Sequence, residues 1–362
     1  MKVLTVVGAR PQFVKAATVS RAFAERGPQV NEIIVHTGQH FDANMSEVFF
    51  TEMQIPRPQY QLELGGLGHG AMTGRMMESI ETILRDEKPD WVLVYGDTNS
   101  TMAGALAAVK LHVPVAHVEA GLRSFNRAMP EEINRVVADH VSTLLLSPTD
   151  VAVQNLAREG ITGSKVVRCG DVMYDAALHY SQRAGGDVVG KLGLQAKGFI
   201  LATLHRAENV DVPERLETAF RALVECSEQL MPVVLPIHPR TRKALRERGL
   251  LDAATVARLK LIEPVGYLDM VQLERDARLV LTDSGGVQKE AYFFGVPCVT
   301  LREETEWVEL VECGANRLAA PRSVQAVVDA ARAALDSQAA FGQGLYGDGR
   351  SAQAIVDALL RA

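Results

Sequence analysis

The chain has 362 residues, of which 47% are hydrophobic and 23% charged, a balance typical of globular proteins with two or three domains at this length. Its formal net charge of −6 argues against a nucleic-acid-binding protein with a broad basic face, but it allows a local cationic pocket for an anionic small molecule. Apolar runs are too short for a signal peptide or a membrane span, so we expect a cytoplasmic protein without a membrane partner.

Short β-branched runs alternate with longer helical patterns along the whole chain. The expected strands of the first half are KVLTVVG, NEIIVHTG, DWVLVYG, VPVAHV, STLLLSP and KVVRCG, and those of the second half are GFILATLH, PVVLPIH, LKLIEP, RLVLTDS and VPCVTL. Apolar strands separated by helices are typical of parallel sheets that are covered on both faces. The pattern loosens around residues 170–197 and then begins again.

We therefore predict an α/β protein with two doubly wound, Rossmann-like domains, at residues 1–170 and 180–345. Residues 346–362 are expected to form a last helix, a candidate to pack back on the first domain. Two such domains facing each other would enclose an interdomain cleft, which is a common place for a ligand.

Glycine and polar or charged residues follow nearly every expected strand. They occur in GARPQ, TGQH, GDTNST, EAGLR, HRAEN, IHPRT and TDSGG, whereas the opposite strand ends resemble ordinary turns. Open parallel sheets bind ligands outside the carboxyl ends of their strands, so this asymmetry predicts a binding site there.

The clearest motif is LTDSGGVQKEA, in which Ser284, Gly285 and Gly286 open a helix directly after a strand. Free N–H groups at such a helix N-terminus bind anions, especially phosphate, but Asp and Ser are also ordinary N-cap residues. Glu290, in the next turn, is either a ligand for ribose hydroxyls or a surface glutamate.

Further candidates for contacts with an anionic ligand lie near other strand ends. Arg10 and Lys15 follow the first strand and can bring positive charge to a pyrophosphate, with a solvated loop as the alternative. His205 in HRAEN and His238 in IHPRT occupy strand ends, where we favour phosphate or substrate binding over a structural role. Tyr267 in YLDM is either a platform for a base or a core tyrosine.

Carboxylates and arginines cluster where the run VPVAHV ends, in HVEAGLRSFNRAMPEEINR. Buried charge is costly unless it is paired or used, so this cluster is either a salt-bridged loop or part of an active site. Glu131 and Arg135 are expected to share a helix face, so that the guanidinium orients the carboxylate, while Glu132 points elsewhere. Asp97, at another strand end, is a catalytic candidate or an N-cap.

The sequence indicates neither a metal site nor a cofactor. The four cysteines have no zinc-like spacing and are interpreted as reduced core thiols of a cytoplasmic protein. No P-loop or HExxH motif is present, so we expect catalysis by side chains alone.

Taken together, these motifs resemble the non-hydrolysing UDP-N-acetylglucosamine 2-epimerase family. GARPQ…K, TGQH, GDTNST, HVEAGLRS, PEEINR, HRAEN, HPRT and LTDSGGVQKEA follow in that family's order over almost the whole chain. The resemblance implies a glycosyltransferase-B-like fold with UDP held mainly by the C-terminal domain, and a homodimer. The implied partner is a UDP-sugar substrate, and the implied reaction interconverts UDP-GlcNAc and UDP-ManNAc through elimination of UDP to a 2-acetamidoglucal.

The resemblance also implies roles for individual residues. The family's catalytic acids match Asp97, Glu119 and Glu131. Its UDP, phosphate and ribose contacts match Arg10, Lys15, Arg135, His205, the Ser284-Gly285-Gly286 turn and Glu290, and we count His205 among the catalytic candidates as well. Gln39 and His40 match a site at which some members bind a second UDP-GlcNAc as an activator.

Gln12 and Ala207 are among the residues that depart from the family's usual GTRPE and GHRRE motifs. Both departures resemble the branch that includes epimerases of UDP-2,3-diacetamido-glucuronic acid, so this uronate is an alternative substrate. A glycosyltransferase of the same fold, a hydrolysing epimerase and a catalytically silent UDP-sugar sensor are further alternatives. The three carboxylates favour an epimerase, because binding a UDP-sugar requires none of them.

Overall fold

A computed structural model describes residues 1–39, 55–183, 186–337 and 339–362, without the side chains of Arg10, Ala254 and Val256. His40, a predicted effector-site residue, lies outside the described residues, as does the side chain of Arg10. The chain divides into two compact units, Met1–Leu178 with Gly344–Ala362, and His179–Gln343.

The first unit is built on a parallel sheet, whose described strands lie in the order β3-β2-β1-β4-β5-β6-β7. The strands are β1 (Lys2–Val7), β2 (Asn31–His36), β3 (Tyr60–Gln61), β4 (Trp91–Tyr95), β5 (Val115–Val118), β6 (Leu144–Ser147) and β7 (Val166–Arg168). The helices are α1 (Arg10–Glu25), a short 3-10 helix (Gly27–Gln29), α2 (His69–Glu87), α3 (Asn99–Lys110), α4 (Pro130–Val141), α5 (Asp150–Arg158) and α6 (Val172–Ser181). The strand order reverses between β1 and β4, which is the point where doubly wound sheets bind ligands.

The second unit repeats this plan, with its described strands in the order β10-β9-β8-β11-β12-β13, all parallel. The strands are β8 (Ile200–Thr203), β9 (Val233–Pro236), β10 (Lys260–Ile262), β11 (Leu279–Thr282), β12 (Cys298–Thr300) and β13 (Asn316–Leu318). The helices are α7 (Val188–Lys191), α8 (Ala207–Val210), α9 (Pro213–Gln229), α10 (Pro239–Glu247), α11 (Ala253–Arg258), α12 (Tyr267–Asp276), α13 (Gly285–Phe293), α14 (Val308–Glu312) and α15 (Val324–Leu335). Its strand order reverses between β8 and β11.

These two parallel sheets confirm the predicted fold class of two Rossmann-like domains. Every apolar run that we predicted as a strand forms one, because central strands such as β4, β8 and β11 are buried at every position. The sequence analysis missed β3 and β13. Both are short edge strands with exposed residues, so they lack the apolar pattern that marks a central strand.

The last helix of the chain, α16 (Ser351–Arg361), belongs to the first unit. It lies against α1, where Asp357 forms an ion pair with Arg26. Asp175 of α6 accepts a hydrogen bond from the backbone N–H of Ala352 at 2.8 Å, and this contact satisfies one free donor at the start of α16.

The cysteines are free thiols, as predicted, and three of them are buried while Cys313 is partly exposed. Burial raises the pKa of Cys169, Cys226 and Cys298 to about 12, so these thiols stay protonated and behave as small apolar side chains. Over the described parts of the chain, every helix is too short or too polar to span a bilayer.

We predict that Gly104→Val lowers the thermal stability of the first unit. A Cβ atom at Gly104 would lie 3.1 Å from Val94 Cγ1 and 3.2 Å from Val6 Cγ2, so a branched side chain must push α3 away from the sheet. Overpacking of this kind costs about 1–3 kcal/mol. Calorimetry would show a lower unfolding midpoint.

The matched control is Gly74→Val, because Gly74 is exposed on α2 and a Cβ there meets no atom within 4 Å. Equal midpoints for the two variants would contradict the close packing of α3 on β1 and β4.

Candidate active site

In the first unit, Lys15 and Glu119 meet at the carboxyl edge of the sheet. The ammonium of Lys15, on α1, forms an ion pair with the carboxylate of Glu119, and both side chains are 9% exposed. Gly96, after β4, comes close to both, since a Cβ there would lie 3.1 Å from Glu119 Oε2 and 3.2 Å from Lys15 Nζ. The phosphate contact predicted for Lys15 stays a prediction.

Glu119 has a backbone φ of +74°, which is uncommon for a residue other than glycine, asparagine or aspartate. Its N–H and that of Ala120 both donate to the carbonyl of Leu146, on the neighbouring strand β6. Residues held in sparsely populated conformations concentrate at functional sites, so this geometry supports the prediction that Glu119 belongs to one.

Arg135 binds Asp97 and Glu132, and our prediction that it pairs with Glu131 is wrong. Its Nη2 lies 2.5 Å from Asp97 Oδ2, and its Nη1 lies 2.9 Å from Glu132 Oε2. Glu131 and Arg135 are one helical turn apart, but the guanidinium of Arg135 pairs with Glu132 instead. Glu132 is only 2% exposed, and a buried charge requires a partner.

Glu132, which we expected to point elsewhere, anchors the loop before α4. Its carboxylate accepts hydrogen bonds from the N–H groups of Ser124 and Phe125, each at 2.9 Å. Burial by itself would raise the pKa of Glu132, but these N–H groups and Arg135 outweigh burial and lower it.

Glu131 is half-buried in the first turn of α4. The structure gives its side chain no hydrogen bond or ion pair with the residues it describes. Asp97 is also accessible, with a side chain that is 31% exposed. The three predicted catalytic carboxylates therefore differ: Asp97 is paired with arginine, Glu119 is paired with lysine, and the half-buried Glu131 has no such pair among the described residues.

A buried network lies behind these carboxylates, and the sequence analysis did not identify it. His117 on β5 contacts Asp139 Oδ1 through Nδ1 and the carbonyl of Gly96 through Nε2, both at 2.7 Å. Asp139 also accepts from Arg123 at 2.7 Å and from the N–H of Gly121 at 3.0 Å. Burial would raise the pKa of Asp139, but the charges of His117 and Arg123 lower it.

Gln39, predicted as part of an effector site, contacts Ser100 in the first turn of α3. Its Oε1 accepts hydrogen bonds from the N–H and the hydroxyl of Ser100, at 3.1 Å and 2.9 Å. These contacts are ordinary support for a helix N-terminus, so the effector role remains a prediction.

In the second unit, Asp283 organises the loops after β8 and β11. Its buried carboxylate accepts hydrogen bonds from the N–H groups of His205 and Arg206 and from the Asn209 amide. Its Oδ1 also lies 3.2 Å from Nδ1 of His205, whose side chain is 41% exposed. Burial would raise the pKa of Asp283, but His205 and the N–H donors lower it.

Ser284 is the N-cap residue of α13, yet its hydroxyl makes no capping hydrogen bond. A Cβ at Gly286 would have no neighbour closer than 3.9 Å, whereas one at Gly285 would lie 2.6 Å from Glu306 Oε1. The first turn of α13 thus has open space beside Gly286 and a carboxylate beside Gly285, and the phosphate contact predicted for this turn stays a prediction.

Tyr267 and Glu290 form a buried pair beside this helix. The Tyr267 hydroxyl donates to Glu290 Oε1 at 3.1 Å, and Glu290 is therefore not the surface glutamate that we considered as an alternative. Burial, with the charge of Glu290, raises the pKa of Tyr267 well above its usual range, so the hydroxyl keeps its proton.

His238 is exposed at the N-terminus of α10, where its Nδ1 accepts a hydrogen bond from the N–H of Arg240 at 3.2 Å. Its ring centroid lies 6.4 Å from that of His205, so the two predicted histidines are neighbours. Among the side chains that the structure describes, no group of three or more histidines, cysteines or carboxylates is arranged to hold a metal ion.

Comparison with known proteins identifies the family. The family model described as UDP-N-acetylglucosamine 2-epimerase matches residues 22–360. The UDP-2,3-diacetamido-2,3-dideoxy-D-glucuronate 2-epimerase of Pseudomonas aeruginosa is 55% identical to this chain, and the match covers 100% of both proteins. The crystal structure of the Methanocaldococcus jannaschii UDP-GlcNAc 2-epimerase, in complex with UDP-GlcNAc and UDP, is 43% identical, with a TM-score of 0.92 and 100% of both chains covered.

A second solved structure, the Neisseria meningitidis UDP-GlcNAc 2-epimerase bound to UDP-GlcNAc, is 30% identical over 100% of both chains, with a TM-score of 0.90. Both solved structures cover the whole chain and agree with the two-sheet fold described above. The chain is therefore an epimerase that belongs to the UDP-N-acetylglucosamine 2-epimerase family.

Proposed function

We propose that this enzyme inverts C-2 of UDP-2,3-diacetamido-2,3-dideoxy-D-glucuronate. The observation that carries the proposal is the 55% identity, over both whole chains, with the Pseudomonas aeruginosa epimerase of that name. UDP-GlcNAc, converted to UDP-ManNAc, is the second candidate substrate. It is favoured by the Methanocaldococcus jannaschii relative, which is 43% identical and has UDP-GlcNAc and UDP bound in its crystal structure.

Both candidates carry a 2-acetamido group and a UDP leaving group at C-1, so one mechanism serves both. The C-2 proton is not adjacent to a carbonyl and is not acidic by itself. It can leave when the bond from C-1 to UDP breaks in the same step, which gives a glucal and free UDP. Protonation of C-2 from the other face and return of UDP then complete the inversion. The enzyme must therefore transfer protons and stabilise the departing pyrophosphate.

The first unit supplies the proton carriers in this proposal. Asp97, Glu119 and Glu131 all lie at the carboxyl edge of the sheet or in the helix that follows it. Arg135 orients Asp97, and Lys15 orients Glu119, through direct ion pairs. Carboxylates in different environments take different protonation roles, and a reaction that moves a proton from one face of a sugar to the other requires such a difference.

The second unit supplies the binding site for the leaving group. The first turn of α13 offers its N–H groups and the positive end of the helix dipole to the pyrophosphate. His205 adds an imidazole that the buried Asp283 holds in place, since a ring whose Nδ1–H points to a carboxylate directs Nε2 outward. Glu290, fixed by Tyr267, is positioned for the ribose hydroxyls.

Incubation in D2O with each candidate nucleotide sugar, followed by proton NMR, tests the substrate. We expect deuterium at C-2 and the C-2 epimer to appear with the diacetamido-uronate, at a kcat/KM at least about 10-fold above that for UDP-GlcNAc, a difference of roughly 1.4 kcal/mol in transition-state binding. A higher kcat/KM for UDP-GlcNAc would establish the second candidate instead. Free sugar and UDP as the only products would show a hydrolysing enzyme and contradict the proposal.

We expect Asp97→Asn and Glu131→Gln each to lower kcat by about 10²–10⁴-fold, because each removes a carboxylate that carries a proton. UDP binding, measured by calorimetry, should change little, since most UDP contacts are assigned to the second unit. Glu81→Gln is the control, because Glu81 is an exposed partner of Arg85 on α2. Full turnover by either site variant would remove that residue from the mechanism.

Tyr267→Phe should weaken UDP binding by about 5–10-fold, because one hydrogen bond that orients Glu290 contributes roughly 1 kcal/mol. The matched control is Tyr60→Phe, which removes a similar hydrogen bond, from Tyr60 to Glu87 at 2.6 Å, in the first unit. Isothermal titration with UDP measures both affinities. Equal UDP affinities for the two variants would show that the pair of Tyr267 and Glu290 is structural.

A further inference from the structure

Buried side chains hold the backbone on both sides of the predicted catalytic residue Asp97. The two peptide groups that flank its Cα atom are each bound by a buried residue. The carbonyl of Gly96, before it, contacts Nε2 of His117 at 2.7 Å, and the carbonyl of Asp97 itself accepts from Nδ2 of Asn134 at 2.9 Å. Arg135 binds its side-chain carboxylate.

These contacts matter because Gly96 has a φ of +62°, a left-handed conformation that determines where the chain leaves β4. The N–H of Gly96 is bonded to the carbonyl of Val118 at 3.0 Å, so His117 fixes the other polar group of the same residue. With both groups held, the direction of the Asp97 side chain is set by the backbone rather than by the ligand.

His117 is itself held in place by Asp139. It is fully buried, and both of its ring nitrogens face acceptors, so with Asp139 ionised each nitrogen donates a hydrogen bond. Asp139 in turn accepts from Arg123 and from Gly121 N–H, which hold it in place. The ring therefore has one orientation, and that orientation points Nε2–H at the Gly96 carbonyl.

Asn134 is fixed in a similar way from α4. Its side chain is buried, and its Nδ2 also lies 3.3 Å from Oδ1 of Asn99, on α3. Asn99 in turn contacts His69, on α2, at 3.2 Å. A chain of side-chain contacts from three helices thus ends on the Asp97 carbonyl.

We propose that His117 and Asn134 are positioning residues, which fix the two peptide groups around Asp97 and so hold its carboxylate at the reacting C-2 atom of the sugar. The proposal rests on the catalytic role proposed for Asp97. Neither residue touches substrate in this scheme. A misplacement of about 1 Å in a reacting group can lower the rate by roughly 10²-fold. We therefore expect the loss of either residue to lower kcat and to leave UDP affinity unchanged.

Two variants of His117 separate positioning from stability. The amide nitrogen of His117→Gln occupies the place of Nε2 and still donates to Gly96, whereas that of His117→Asn lies near Nδ1 and reaches only Asp139. Both variants lose the ring and one of its two hydrogen bonds, so we expect similar losses in unfolding midpoint. We expect His117→Asn to lower kcat by about 10–100-fold and His117→Gln to recover most of it. UDP affinity should be unchanged in both.

Asn134→Leu provides a second test that keeps the side-chain volume and removes the donor to Asp97. It should lower kcat by about 10–100-fold with unchanged UDP affinity. The control is Ser142→Ala, which removes a buried hydrogen bond to the Ala138 carbonyl at 2.7 Å, at the other end of α4. This control should lose stability and keep kcat.

The outcomes distinguish the proposal from the assumption beneath it. Equal kcat values for His117→Gln and His117→Asn, or normal kcat in Asn134→Leu, would overturn the positioning role while Asp97→Asn still abolishes turnover. Normal turnover in Asp97→Asn would instead overturn the catalytic role of Asp97. If the His117 variants do not fold, Asn134→Leu decides by itself.

Discussion

Buried charge at the carboxyl edges of the sheets is the constraint on which the rest of this structure depends. Parallel strands bring their carboxyl ends to one edge, and this sequence puts carboxylates there at the end of several strands. Each of them would be unstable in the protein interior without a cation or N–H donors nearby. The ion pairs of Lys15 with Glu119 and of Arg135 with Glu132 thus offset the cost of burial, and Arg135 also binds the more accessible Asp97 of the proposed site.

The two units satisfy this constraint in similar ways. In the first, the buried Asp139 holds His117 and the loop at Gly121, and in the second, the buried Asp283 holds His205 and the loop at Arg206. Burial would raise the pKa of each aspartate, but a neighbouring histidine lowers it, together with Arg123 at Asp139 and with N–H donors at Asp283. The two histidines differ in accessibility. The side chain of His117 is fully buried, whereas that of His205 is 41% exposed and can contact a ligand.

One departure from the family's usual motifs, Gln12, has a structural explanation. Gln12 is buried, its Oε1 accepts from the N–H of Gly8 at 2.8 Å, and its Nε2 donates to the carbonyl of Tyr95 at 2.8 Å. An ionised glutamate could accept the first of these bonds but could not donate the second. Gln12 therefore links the loop after β1 to the end of β4. These two hydrogen bonds require an amide at this position and explain it without a direct contact with the sugar.

The sequence by itself determined the order of strands and helices, the fold class and the family. Central strands are buried on both faces, so they must be apolar over their whole length, and the loops at one edge carry the motifs. Only the tertiary structure decided which charges pair. Glu131 and Arg135 have the spacing of a helical pair, yet Arg135 binds Asp97, which is 38 residues away. His117 lies in a run that reads as an ordinary buried strand, and Asp139 lies within a helix. Their pairing depends on how α4 packs on β5, which local periodicity does not specify.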